Sequence, residues 1–284
     1  MTWGIDYASV DGNRAPDLDK LKAAGCAFVW LRATYDCRVD PTFVRDFGAL
    51  ARAGLIRGAY GFPLPGGKHS PTEFAQALYA TCDAAGGLRP GVDFPPCIDV
   101  EFPHGIAGTG LTRAQIMEWI RAAIFELRRL FKVWPVIYTS GRVWNDNDTD
   151  CLGAPPAPDL TSCPLWLARY ALATRLPARI PPAVVDRLRV PLPWGDQWCA
   201  HQCQGDALGV PGLSATADVD RFRSAKFGDA GGHVAYAQRK LGLLQDDGKL
   251  GPITSNALKV WQGVHGLDVS GALDVETFCS LAWL

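Results

Sequence analysis

The sequence predicts an α/β fold: an irregular, TIM-like β/α barrel followed by a small all-α domain. Three observations carry this expectation. Eight short apolar runs recur over the first 220 or so of the 284 residues, and amphipathic stretches separate the first five runs. After the fifth run the connecting stretches, 140–163 and 171–195, are rich in Pro, Gly and Asp, so the barrel should lose its helices in its second half. The last 50 or so residues contain an internal repeat.

Residues 3–6 read as the first strand, and 17–24 as a short helix with Asp17 as N-cap after Pro16. Residues 26–34 (CAFVWLRAT) form the second strand. Residues 41–53 are helical, because Ala49, Leu50 and Ala53 continue the face of Phe43 and Phe47, and Gly54 stops the helix. Residues 56–62 are the third strand. Residues 72–85 form a helix that opens after Ser70-Pro71 and closes at Gly86-Gly87. Residues 96–101 are the fourth strand, and 112–131 form the longest helix, with a Thr cap at its start. Strands follow at 134–139, 165–170, 196–204 and 217–221. This alternation implies a parallel sheet.

From Ser224 the texture changes. Gly228, Gly231 and Gly232 mark 225–232 as a linker between the barrel, 1–224, and a three-helix domain, 233–284. In the latter, Gly248, Leu250, Thr254 and Leu258 recur as Gly271, Leu273, Thr277 and Leu281 at an offset of 23. Each copy is a glycine turn followed by an amphipathic helix, and 234–243 adds a third helix.

Composition excludes several functions. With 48% hydrophobic and 20% charged residues, the chain can bury a core and is not disordered. The net charge is −1, and no basic stripe offers a nucleic-acid surface. No run reaches about 18 apolar residues, so no membrane span is expected. Nine cysteines fall far short of a disulfide scaffold, and an odd count leaves at least one unpaired within the chain. The first residues enter a strand pattern at once, without a basic region and apolar core of a secretion signal. The expectation is cytoplasmic synthesis, reduced thiols and a monomer.

In a β/α barrel the site lies at the C-terminal ends of the strands. Those ends carry Asp6, Tyr60, Phe62, Asp99, Glu101, Tyr138, Trp166, Tyr170, Asp218 and Asp220. Asp99 and Glu101 stand at i and i+2 on one strand face, about 6.6 Å apart at Cα. Paired carboxylates raise one pKa, which provides a proton donor beside an ionised partner, as glycosidic cleavage requires. Taken alone the pair also fits a solvated strand end, but its apolar neighbours Cys97, Ile98, Val100 and Phe102 argue for a buried strand. Aromatics at the same rim, with Trp198 among the candidates, can stack on sugar rings. Cys199, His201 and Cys203 share a strand face, yet zinc sites usually use four ligands in separated pairs, so no metal and no cofactor is expected. No nucleophile elbow, Walker loop, HExxH helix or dinucleotide fingerprint is present.

Seven blocks together resemble the family 25 glycoside hydrolases, the muramidase-type lysozymes: GIDYAS (4–9), VWLRAT (29–34), AGLIRGAYGF (53–62), DVE (99–101), YTS (138–140), LWLARY (165–170) and ADVDRF (217–222). The resemblance implies cleavage of the β-1,4 bond between N-acetylmuramic acid and N-acetylglucosamine in peptidoglycan. By position it implies Glu101 as general acid and Asp99 as the carboxylate assisting it. Asp6 and Asp218 match two further groove acids, with Asp220 ranked second to them. Tyr60, Tyr138 and Trp166 match sugar-contacting positions. Two departures are Tyr35-Asp36, where the family often has Glu-Gly, and Tyr60-Gly61-Phe62 in place of YHF. The tail (AQRKLGLL, DGKLGPITSNALKVWQ, HGLDVSGALDVETF) resembles a peptidoglycan-binding helical repeat domain. A phage-type endolysin that reaches the wall after release fits this arrangement. A chitin-like polymer as substrate, or a non-catalytic wall-binding protein, are the alternatives. Three routes stay open, retaining, inverting or assisted by the substrate's acetamido group; stereochemistry is not readable from sequence, and we favour the last.

Overall fold

The computed structural model describes residues 2–145, 152–153, 158–170 and 194–284. The irregular stretch expected at 171–195 therefore lies mostly outside the described residues. Eight strands close a barrel in the order β1 (Trp3–Tyr7), β2 (Cys26–Tyr35), β4 (Ile56–Phe62), β5 (Cys97–Asp99), β6 (Val136–Thr139), β7 (Leu165–Ala168), β8 (Trp198–Ala207) and β9 (Ala217–Phe222), with β9 returning to β1. The two-residue β3 (Arg38–Val39) hangs on β2 as a hairpin.

Seven of the barrel strands are parallel; β9 runs antiparallel to both β8 and β1. This departs from the all-parallel expectation. A parallel return needs a crossover of about a dozen residues or more, and the stretch joining β8 to β9 holds no helix to make one.

Four helices fill the outer layer between the first strands: α1 (Leu18–Ala23), α2 (Phe43–Ala53), α3 (Pro71–Ala84) and α4 (Arg113–Phe131). Their ends follow from local chemistry. The Asp17 carboxylate accepts from Lys20 N–H, while Ser70 with Glu73 and Thr112 with Gln115 form capping boxes. Gly54 closes α2 in the left-handed conformation at φ 70°. Between β6 and β9 the described residues hold only α5 (Gly141–Asn145) and one 3-10 turn (Pro158–Ser162), consistent with helices being lost in the second half of the barrel.

Strand alternation sorts side chains into two cores. Val29, Leu31, Ala59, Ile98, Ile137 and Leu167 pack under the helices. Phe28, Trp30, Tyr60, Cys97, Tyr138, Trp166 and Phe222 fill the interior. Trp30 stacks on Phe94 at 4.6 Å and on Trp166 at 4.8 Å. Gly58 makes that stack feasible, because a Cβ there would lie 2.0 Å from the Trp30 indole.

The tail consists of α6 (Gly232–Lys240), α7 (Pro252–Val264) and α8 (Val275–Ala282). Its repeat is hydrogen-bonded as well as sequential. Gln238 donates to Lys249 O and Thr254 Oγ1 and accepts from Gly248 N–H; Gln262 donates to Ala272 O and Thr277 Oγ1 and accepts from Gly271 N–H. Both glutamines are buried, so each satisfies its own amide while closing a glycine turn.

The tail does not hang free. Its residues Tyr236, Leu273, Phe278 and Leu281 join the barrel interior in one apolar cluster. The Phe278 ring meets Phe222 at 5.3 Å and Phe94 at 6.4 Å, beneath the barrel's N-terminal mouth. Trp283 Nε1 donates to Asp93 O at 2.7 Å. The stretch read as a linker is itself paired, Ala225 with Leu273 and Ala230 with Lys249.

Candidate active site

The site forms at the opposite mouth. The strand alternation that puts Ile98 and Val100 under the helices turns Asp99 and Glu101 toward the barrel axis. Val100 N–H still bonds Tyr138 O at 2.8 Å, so the strand geometry runs on past Asp99 and carries Glu101 to the rim. The reversed direction of β9 decides which of its acids reaches the site. Asp218 pairs opposite Asp6 at the rim, whereas Asp220 pairs opposite Gly4, one step deeper.

Asp6, Asp99, Glu101 and Asp218 line a cavity of about 180 Å³ together with Tyr60, Phe62, Tyr138, Trp166 and Tyr170. Asp220 is not in its lining; it lies fully buried and accepts from Trp166 Nε1 at 2.7 Å. Trp166 is 1% exposed, stacked on Trp30 and edge-on to Tyr138, so it forms the floor. Tyr170, 59% exposed, stands at the mouth. Trp198 is elsewhere, buried at the tail seam under the Arg223 guanidinium at 4.4 Å.

Gln202 was not foreseen, yet it organises the acids. Its Nε2 donates to Asp6 Oδ2 at 2.7 Å and to Asp218 Oδ2 at 2.9 Å, and its Oε1 accepts from Tyr138 OH at 2.6 Å. The available signal was alternation: with His201 and Cys203 on the outer side, the residue between them faces inward. Arg32, also unforeseen, lines the cavity while its guanidinium is held by Asp40 at 3.0 Å.

The electrostatics follow from crowding acids in a low-dielectric space. Burial, then Asp220 and Asp218, holds the Asp6 carboxyl well above the usual range. Burial, then Glu101, does the same to Asp99, with Arg32 opposing. Asp220 is likewise raised by burial. Glu101 is pushed up to about 7 by burial and by Asp218. Asp218 is pushed up to about 6, by burial and then by Asp11 and Asp206. The crowding thus favours a proton on Glu101 up to about neutral pH beside further carboxyls, the arrangement that general-acid cleavage of an acetal needs.

Cys199, His201 and Cys203 do not converge on a metal: Cys199 Sγ bonds Leu165 O, His201 Nε2 lies against Arg169 O and Cys203 Sγ bonds Val219 O. Among the described residues, Asp36, Cys37 and His69 do bring ligand atoms together.

The profile of glycosyl hydrolases family 25 matches residues 5–204, and that of a peptidoglycan binding domain matches residues 235–281. Lysozyme M1 of Streptomyces globisporus is 30% identical over 183 residues, covering 63% of this chain and 58% of its own length. The N,O-diacetylmuramidase of Chalaropsis sp is 33% identical over 165 residues, covering 56% of this chain and 73% of its own length. The chain thus spans less than two thirds of the first relative. Among solved structures, the bacterial lysozyme from Streptomyces coelicolor superposes with a TM-score of 0.63 at 25% identity, over 78% of this chain and 92% of that one. The muramidase from Acremonium alcalophilum gives 0.61 at 26% identity, over 78% and 94%. A closed barrel with one reversed strand, a buried acid cluster at its C-terminal mouth and a profile match over more than half its length place this chain in glycosyl hydrolases family 25.

Proposed function

We propose that the protein is an N-acetylmuramidase, hydrolysing the β-1,4 bond between N-acetylmuramic acid and N-acetylglucosamine in peptidoglycan. The observation that carries this reading is Glu101, pushed up to about 7 at the mouth of an acid-lined cavity. Protonated, it delivers its proton to the leaving glycosidic oxygen. Asp99 lies deeper in the same cavity, where it can hold the acetamido group of the sugar and assist its attack on the anomeric carbon. Gln202 fixes Asp6 and Asp218 around that position. The relatives' names, lysozyme and N,O-diacetylmuramidase, support the same substrate class.

The peptidoglycan binding profile of the tail supports a wall-degrading enzyme, and we take the biological role to be that of an endolysin, made in the cytoplasm and acting on the wall after release. The test is digestion of purified peptidoglycan by wild type and Glu101→Gln, with identification of the new reducing end. Wild type should release muramic acid ends, and the variant should be slower by about 10²–10⁴-fold. Glucosamine ends, or a fully active variant, would overturn the assignment. An inverted first-released anomer would rule out acetamido participation.

A further inference from the structure

We propose that Asp36, Cys37 and His69 form a binding site for a single thiophilic divalent cation of the zinc class, at the rim of the groove. Asp36 and Cys37 are the two turn residues between β2 and β3, and Asp36 adopts the left-handed conformation at φ 53°. That conformation is unusual for a residue with a side chain, though Asp tolerates it better than most. His69 arrives from the segment just before α3, more than 30 positions away in sequence. The carboxylate oxygen, thiol sulfur and imidazole nitrogen all lie within 4.8 Å of one another. Tetrahedral zinc with bonds of about 2.0–2.3 Å separates its ligand atoms by about 3.3–3.8 Å, inside that span, and Asp36 Oδ2 and His69 Nδ1 must open from 2.5 Å to admit the ion.

Two further observations point to a ligand. The first is Asp36 Oδ1, which is buried without a hydrogen-bond partner, while Oδ2 faces His69 Nδ1 at 2.5 Å. The second is Cys37. Seven of the eight described free thiols are buried; Cys37 is half-exposed and set beside an imidazole. Hard oxygen, borderline nitrogen and soft sulfur together select zinc or cobalt over magnesium or calcium. Three protein ligands leave the fourth position to water or to a donor on the substrate.

The ion binds by replacing protons. The Cys37 S–H bond breaks, an S–metal bond forms and the proton leaves to solvent. His69 coordinates through Nδ1 as the tautomer that carries its proton on Nε2, so a proton on Nδ1 shifts to Nε2 when the ion enters. The site also reaches the groove: Asp36 N–H donates to Phe62 O at 2.7 Å, and the Tyr35 ring stacks on Phe62 at 5.2 Å. Phe62 lines the acid cavity. An ion here would tie the β2–β3 turn to the segment before α3 and stiffen that wall.

The test is titration of the reduced, chelator-treated full-length protein with cobalt(II), followed by absorbance. One equivalent should produce thiolate-to-cobalt charge transfer in the near ultraviolet with tetrahedral bands in the visible, and zinc should displace it. Cys37→Ser should abolish the charge-transfer band, and His69→Ala should weaken binding by about tenfold or more. Circular dichroism of both variants checks that they fold. Absence of the band in folded wild type, or an equal band in Cys37→Ser, would overturn the site.

Discussion

Phe278 sits where tail and barrel share one core, and replacing it by alanine tests whether they stand or fall together. The side chain is 1% exposed and touches the rings of Phe94 and Phe222 from the barrel and Tyr236 from the tail. Deleting a buried phenyl costs about 3–5 kcal/mol through lost burial plus the cavity left behind. At about 2–4 °C per kcal/mol for a chain of this size, the transition should fall by about 6–20 °C. The loss should reach the barrel, because Phe94 stacks on Trp30 and Trp30 on Trp166 beneath the acids. Thermal unfolding by near-ultraviolet circular dichroism, with hydrogen exchange on peptides covering residues 26–35, reads both parts. One cooperative transition, with β2 losing protection alongside the tail, is expected. A tail that frays while β2 keeps its protection and the barrel keeps its midpoint would refute the shared core.

Activity should fall as pH rises through about 7, because Glu101 must carry its proton to act; kcat/KM on peptidoglycan that keeps rising to pH 9 would exclude that role. The same shift links to stability. Glu101 binds its proton more tightly folded than unfolded, so its contribution is complete below about pH 4.5 and is lost as pH rises through about 7. Glu101→Gln should therefore flatten the pH–stability slope in that window by up to about 1.4 kcal/mol per pH unit, read by urea unfolding at several pH values. Gln202→Leu removes the amide shared by Asp6, Asp218 and Tyr138, and kcat should drop by about 10–100-fold if the hydrogen bonding lost is worth about 1.5–3 kcal/mol in total; an unchanged kcat in a folded variant would remove Gln202 from the site. Asp93→Asn strips the buried partner from Arg57 and Arg89, and a loss of about 3–5 kcal/mol is expected in denaturant unfolding. A cost below about 1 kcal/mol would show the Arg57 guanidinium satisfied by the Phe47 and Gly87 carbonyls alone, with the part-exposed Arg89 turning to solvent.

Much of this molecule is legible in one dimension because its determinants are local. Caps at Asp17, Ser70 and Thr112 and the stop at Gly54 fix helix ends within a few residues. Period-two alternation sends Asp99 and Glu101 to one side of a strand whatever the strand packs against. The Gly–Leu–Thr–Leu repeat announces the tail, since each turn is closed by a glutamine of the helix just before it, Gln238 for Gly248 and Gln262 for Gly271.

Other properties exist only once distant segments meet. The direction of β9 depends on what joins it to β8, and it makes Asp218 a rim acid and Asp220 a buried one. Gln202 means nothing in sequence until β1, β6 and β9 bring Asp6, Tyr138 and Asp218 to its amide. The high pKa of Glu101 is a product of burial and neighbouring charge, both tertiary quantities. The glycine-rich segment 225–232 has the composition of a free tether, yet the tail packs onto the barrel because Phe28, Phe94 and Phe222 would otherwise face water. Sequence by itself set the elements, the repeat and the acids; long-range packing set strand direction, proton affinities and the docking of the tail, because hydrophobic burial and electrostatics act through space and not along the chain.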